Sequence, residues 1–167
     1  MTTAQDDAID AFAKMSAALT GFTLDTIQPA LDPVRLSATY YDFVNARATE
    51  SLALLLAAYN AIATQPAQAI ADSLLEVKSG APASALAQLA QSIVRMWYLG
   101  SWYAPGEGPS PVQVISAQAY VGGLVWKAAQ THPMGYSEFT FGYWAKAPPA
   151  LADFGVDVPS AATGEQA

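Results

Sequence analysis

Apolar residues recur in this chain at helical spacing from the N-terminus to beyond the middle, and that period rules out a sheet-based core. Ile9, Phe12, Met15 and Leu19 form one stripe, opened by Asp6 and Asp7 and closed by Gly21. Carboxylates suit the positive end of a helix and glycine suits its left-handed end, so the spacing predicts a helix over residues 6–20. After a loop containing Pro29, Asp32 and Pro33 read as a capping carboxylate followed by proline at the first helical position. Leu36, Tyr40, Phe43 and Val44 continue as a buried face, and Leu52, Leu55, Tyr59 and Ile62 extend it. Residues 33–64 are thus one long helix or two, and a break near residues 47–49 is the preferred reading.

Further along, Pro66 starts a helix carrying Ile70, Leu74 and Val77, with Gly80 as its stop. Ser84 caps another, with Leu86, Leu89, Ile93, Met96 and Trp97 on one side, which Gly100 ends. The segment GSWYAPGEGPSP over residues 100–111 is dense in turn residues and reads as a long loop. Ser116 caps a last helix through Tyr120 and Leu124 to about residue 128. Gly122 and Gly123 inside it point to the close approach of another backbone. From Thr131 onward the helical period is lost and aromatics accumulate, with a short strand-like piece at 138–141. The expectation is all-α: an irregular bundle of about five to seven helices with an extended aromatic-rich C-terminal arm. One helical domain spans residues 1–158, including the arm at 131–158, and a disordered tail follows at 159–167.

Charge and apolar content narrow the function classes. Seven Lys plus Arg against fourteen Asp plus Glu leave a net charge of −7, with the basic residues scattered singly, so nucleic acid and anionic lipid are not attracted. A hydrophobic fraction of 53% with 13% charged residues exceeds what a small core hides, which points to a protein partner. The apolar run of residues 51–63 is too short for a bilayer span. The acidic start, MTTAQDDAIDAF, shows no leader pattern, so the expectation is a cytoplasmic chain, one that travels with another protein, or one whose signal has been removed.

Chemistry-bearing groups are sparse. There is no cysteine, and His132 is the single imidazole, between Thr131 and Pro133, with no second ligand type to complete a metal site. Asp6, Asp7 and Asp10 read as a solvated first helical turn. GEGPSP lacks the lysine and glycine spacing of a phosphate loop, and no Ser has an Asp/His arrangement to activate it. No catalytic, cofactor or metal residue is assigned. Trp97 reads as core. Trp102, Tyr103, Tyr136, Phe141, Tyr143, Trp144, Pro148 and Pro149 read as partner-binding, because Tyr and Trp beside Gly and Pro are what interfaces enrich.

Several stretches taken in order resemble the sorbitol dehydrogenase small-subunit family of bacterial membrane-bound sugar and polyol dehydrogenases. They are FAKMSAALTG at 12–21, LDP at 31–33, WYLG at 97–100, VQVISAQAYVGGLVW at 112–126 and GYSEFTFGYWAKAPP at 135–149. The resemblance implies a non-catalytic accessory, chaperone-like subunit with no cofactor of its own. Its partner would be a GMC-type large subunit that holds FAD and oxidises the substrate, with a cytochrome c subunit in the same complex. Periplasmic location is implied, through a twin-arginine signal that this chain does not show. The chain departs from the family in a longer connection, FTLDTIQPA, before LDP, and in Ser137 where family members tend to carry a cysteine. The alternative from another class is a free-standing helical protein that binds a small molecule or self-associates.

Overall fold

The computed structural model describes residues 3–77, 80–106, 112–134 and 151–155. Helix α1 (Ala4–Thr20) starts at a capping box: the Thr3 hydroxyl accepts from the Asp6 N–H, while the Asp6 carboxylate accepts from the Thr3 N–H. It ends at Gly21, whose φ of 77° is left-handed. Alanine-rich and without an interior breaker, α1 buries Phe12, Met15 and Leu19 against its neighbours. A four-residue helix, α2 (Leu24–Ile27), fills the connection expected to be loop and drops Ile27 into the core.

Asp32 caps as expected but in different geometry. Its carboxylate accepts from the N–H groups of Val34, Arg35 and Leu36 at 3.0, 2.7 and 3.2 Å. Pro33 is therefore not the first helical residue. Arg35, at φ 51°, precedes α3 (Leu36–Ile62), and the three bonds to Asp32 offset the roughly 1–2 kcal/mol that a left-handed non-glycine residue costs. Helix α3 is broken at Ala48 (φ −146°, ψ 45°), inside the interval expected from the sequence. Beside the break, Arg47 donates to the Phe43 carbonyl and Thr49 to the Asn45 carbonyl, the latter a back-bond of the kind that often bends helices.

Helix α4 (Ala67–Leu75) buries Ile70 and Leu74 but stops before Val77, which is 75% exposed rather than part of the buried face. Glu76 turns left-handed there, and its carboxylate accepts from the Ser84 N–H and hydroxyl at 2.8 and 2.9 Å, tying the end of α4 to the start of α5 (Ala85–Leu99). Helix α1 packs on α3, α4 and α5, and the four share one core, in which Tyr40 meets Trp97 edge-to-face at 4.7 Å.

Asp6 and Glu76 link stability to pH. Hydrogen bonds from the backbone and then the hydroxyl of Thr3 hold the Asp6 pKa below its ordinary value, and those of Ser84 do the same for Glu76. A folded-state pKa lowered in this way stabilises fully above the ordinary carboxylate range, and the contribution is lost as pH falls through the lowered value. The urea midpoint is therefore expected to fall less between about pH 7 and about pH 3 in Asp6→Asn/Glu76→Gln than in the parent. An identical acid-side slope in the two proteins would remove both groups from the linkage.

After Gly100 the expected long loop is partly a hairpin. Strands β1 (Ser101–Tyr103) and β2 (Val112–Val114) pair antiparallel, with Trp102 opposite Gln113 and Tyr103 opposite Val112. The expected last helix is two short ones, α6 (Ala117–Val121) and α7 (Leu124–Ala128), split at Gly122 and Gly123. The close backbone approach expected there is present: a Cβ on Gly123 would lie 2.8 Å from the Tyr98 carbonyl oxygen. A 3-10 helix at Leu151–Phe154 lies against α7. The strand-like piece at 138–141 and the tail at 159–167 lie outside the described residues.

Candidate interaction surface

The hairpin divides its side chains between two faces. Residues directly opposite each other in an antiparallel pair share a face. Trp102 and Gln113 face α3: the Trp102 ring meets Phe43 edge-to-face at 5.7 Å, and the Gln113 side-chain oxygen accepts from Arg47 Nη2 at 3.1 Å. The Arg47 guanidinium lies 3.6 Å from the centre of the Phe43 ring, a cation–π contact within α3 that stacks the two residues meeting the hairpin. Ser101, Tyr103, Val112 and Val114 share the opposite face.

This corrects the reading of Trp102 as a loop residue free to be held by another protein. The indole is 7% exposed and belongs to the core cluster. In a three-residue strand the pleat sends alternate side chains to opposite faces, and a nearby aromatic on α3 captures the inward one. Tyr103, half-buried, points the other way, beside Val112 at 43% and Val114 at 64% exposure. The two valines were not singled out as contact residues; their alternation in VQV, once paired with SWY, is the signal that reveals them. Tyr136, Phe141, Tyr143, Trp144, Pro148 and Pro149 lie outside the described residues.

Trp97 is core as expected, at 1% exposure, finishing α5 before Gly100. It also lines a groove of about 450 Å³ between the start of α3 and the α6–α7 pair. Ile27, Val34, Leu36, Val121 and Leu124 supply apolar wall, with Gln118 and Lys127 among the polar lining. Two phenols in the core titrate above their ordinary range because burial disfavours the phenolate: Tyr40, whose hydroxyl has no partner among the described residues, and Tyr98, whose hydroxyl donates to the Thr20 carbonyl at 2.9 Å. Neither is poised for acid–base work near neutral pH.

His132 is half-buried with its Nδ1 3.0 Å from the Pro133 carbonyl oxygen. Among the described residues no group of three His, Cys, Asp or Glu side chains is placed to hold a metal ion. A dinucleotide such as FAD seats its pyrophosphate on free N–H groups at a helix start. Here the starts of α1, α3, α5 and α6 are occupied by oxygens of Thr3, Asp32, Ser84 and Ser116. These four ends do not fit the cofactor's pyrophosphate; α4, which starts after Pro66, has no side-chain cap.

Among the described residues no helix is long and apolar enough to cross a membrane. Comparison with curated proteins gives no match. A family model, described as membrane bound FAD containing D-sorbitol dehydrogenase, matches residues 1–148. The match covers the helical core, the hairpin and the α6–α7 pair together, and the chain belongs to that family of membrane-bound FAD dehydrogenases.

Proposed function

We propose that this chain is a non-catalytic accessory subunit that binds and stabilises the FAD-dependent, GMC-type catalytic subunit of a sugar or polyol dehydrogenase. The flavoprotein performs the oxidation; this chain supports its folding and its export to the periplasm, in a complex that includes a cytochrome c. The observation that carries the reading is the outward hairpin face of Tyr103, Val112 and Val114, an exposed apolar strip on a chain whose family is tied to a membrane-bound flavoenzyme. Tyr136, Phe141, Tyr143, Trp144, Pro148 and Pro149 are proposed as further partner-contacting residues, and Trp102 supports the hairpin strip from beneath.

The test is co-expression with the flavoprotein. The pair is expected to copurify, and Val114→Asp, which places a charge on the exposed strip, is expected to weaken association by roughly tenfold or more while leaving the isolated chain folded. A flavoprotein that is equally soluble and active alone, and that never copurifies with this chain, overturns the proposal.

The groove of about 450 Å³ favours a second reading, a free-standing protein that binds a small apolar molecule. That reading requires a chain monodisperse without any partner and a ligand-dependent change in Trp97 fluorescence, which Trp97→Phe removes.

A further inference from the structure

The groove at Trp97 lies between two walls, and both are fixed. One wall is α2 with the turn leading into α3. Ile27 anchors α2 in the core, and the Ile27 carbonyl accepts from the Ser37 hydroxyl at 2.7 Å, locking α2 to α3. The other wall is the α6–α7 pair. There the Trp126 Nε1–H donates to the Tyr120 carbonyl at 2.7 Å, joining α7 to α6, and Gly123 packs against the Tyr98 carbonyl of α5. Residues 151–155 tie the two walls together. The Gly155 carbonyl accepts from the Thr23 N–H at 2.8 Å and the Phe154 carbonyl from the Thr26 hydroxyl at 3.4 Å, which seats Gly155 on α2, while the 3-10 helix at Leu151–Phe154 lies against α7. A site whose walls are set beforehand loses little freedom when it takes up a ligand.

Charge is distributed unevenly over these walls. Ile27, Leu36 and Leu124 make the interior apolar, and Val34 and Val121, at 45% and 37% exposure, carry the apolar surface out to the rim. Two charged residues line the groove, Asp32 and Lys127. The Asp32 carboxylate is turned onto the N–H groups of Val34, Arg35 and Leu36. Lys127 has no such compensation: it is half-buried, and among the described residues the one ion pair is Lys14 with Asp10. An ammonium group beside an apolar wall gives up part of its hydration and favours an anion that brings its own apolar body. The volume of about 450 Å³ is that of a small-ligand site.

We infer that the groove binds a medium-chain carboxylate of the fatty-acid type, its alkyl chain along the apolar wall and its carboxylate on the Lys127 ammonium. This rests on the reading of the groove as a small-molecule site and holds with or without a flavoprotein partner. One cation matches one negative charge; a phosphate dianion would leave a second charge uncompensated beside Asp32. A peptide would bury N–H and C=O groups against an apolar wall that cannot answer them, whereas an alkyl chain has none to bury.

Calorimetric titration of the full chain with octanoate, octanol and octylammonium separates the alkyl chain from the charge, and methyl NMR shifts locate the binding. Octanoate is expected to bind roughly fivefold or more tightly than octanol, and octylammonium more weakly than either. Shifts are expected at Val34, Val121 and Leu124 and not at Val114 on the hairpin. Lys127→Gln should bring octanoate down to octanol or below it without weakening octanol, and Lys127→Arg should keep the preference. If octanol or octylammonium binds as tightly as octanoate while the shifts stay in the groove, the carboxylate assignment falls and the groove reading stands. A preference for octanoate that survives unchanged in Lys127→Gln overturns the role given to Lys127, and with it this inference. If none of the three binds, or the shifts lie away from the groove, the groove reading and this inference fail together.

Discussion

Trp102→Ala is expected to destabilise the isolated chain by about 3–5 kcal/mol, as much as Trp97→Ala, the usual range for truncating a buried Trp. The two indoles occupy different elements but one core: Trp97 closes α5 against Tyr40, and Trp102 closes the hairpin against Phe43. Removing either leaves a void that helix α3, already bent at Ala48, cannot readily fill. Tyr103, one residue further along β1, faces outward, so Tyr103→Ala is expected to cost about 1 kcal/mol or less. Urea midpoints of the three variants decide the matter. A Trp102→Ala protein as stable as the parent would return Trp102 to the surface and restore the loop reading of this segment.

Gly100→Ala is expected to cost about 2–5 kcal/mol, a large effect for the addition of one methyl group. Gly100 ends α5 at φ 65°, a conformation that charges any other residue roughly 1–2 kcal/mol. A Cβ there would also strike the Ala119 carbonyl group and lie 2.7 Å from the Tyr120 nitrogen. Both obstacles are backbone, so α6 has to move as a unit, and overpacking of this kind adds about 1–3 kcal/mol. Gly21 is the comparison: its φ of 77° is similar, but a Cβ would meet nothing within 4 Å. Gly21→Ala should therefore show the conformational cost alone. Equal thermal shifts for Gly21→Ala and Gly100→Ala would exclude the backbone collision as a cause.

The helices were legible because their signals are local. A capping side chain, a 3.6-residue apolar period and a terminal glycine sit within a few residues of one another, which is how α1 and α5 and the interval of the break in α3 follow from the chain alone. Even a missed detail, the start of α3 beyond Pro33, kept its cause, since Asp32 still caps the backbone it was assigned to cap. The family resemblance, carried by residues spread from 12 to 149, likewise needs no coordinates.

The interaction surface was only half legible, because sidedness in a short hairpin depends on what lies across it. Trp102 and Tyr103 are equivalent by composition; Phe43 and Arg47, far off in the chain, pull one inward and leave the other facing out. Val112 and Val114 become a surface only when β2 pairs with β1. The seat of Gly155 on Thr23 and Thr26 joins segments more than a hundred residues apart, and no local pattern announces it. Sequence periodicity thus determined the helices and the all-α class, since both rest on contacts within one or two turns. Which aromatic is core, which strip is exposed and where the C-terminus is held were decided by tertiary packing, because each depends on a partner that chain order does not reveal.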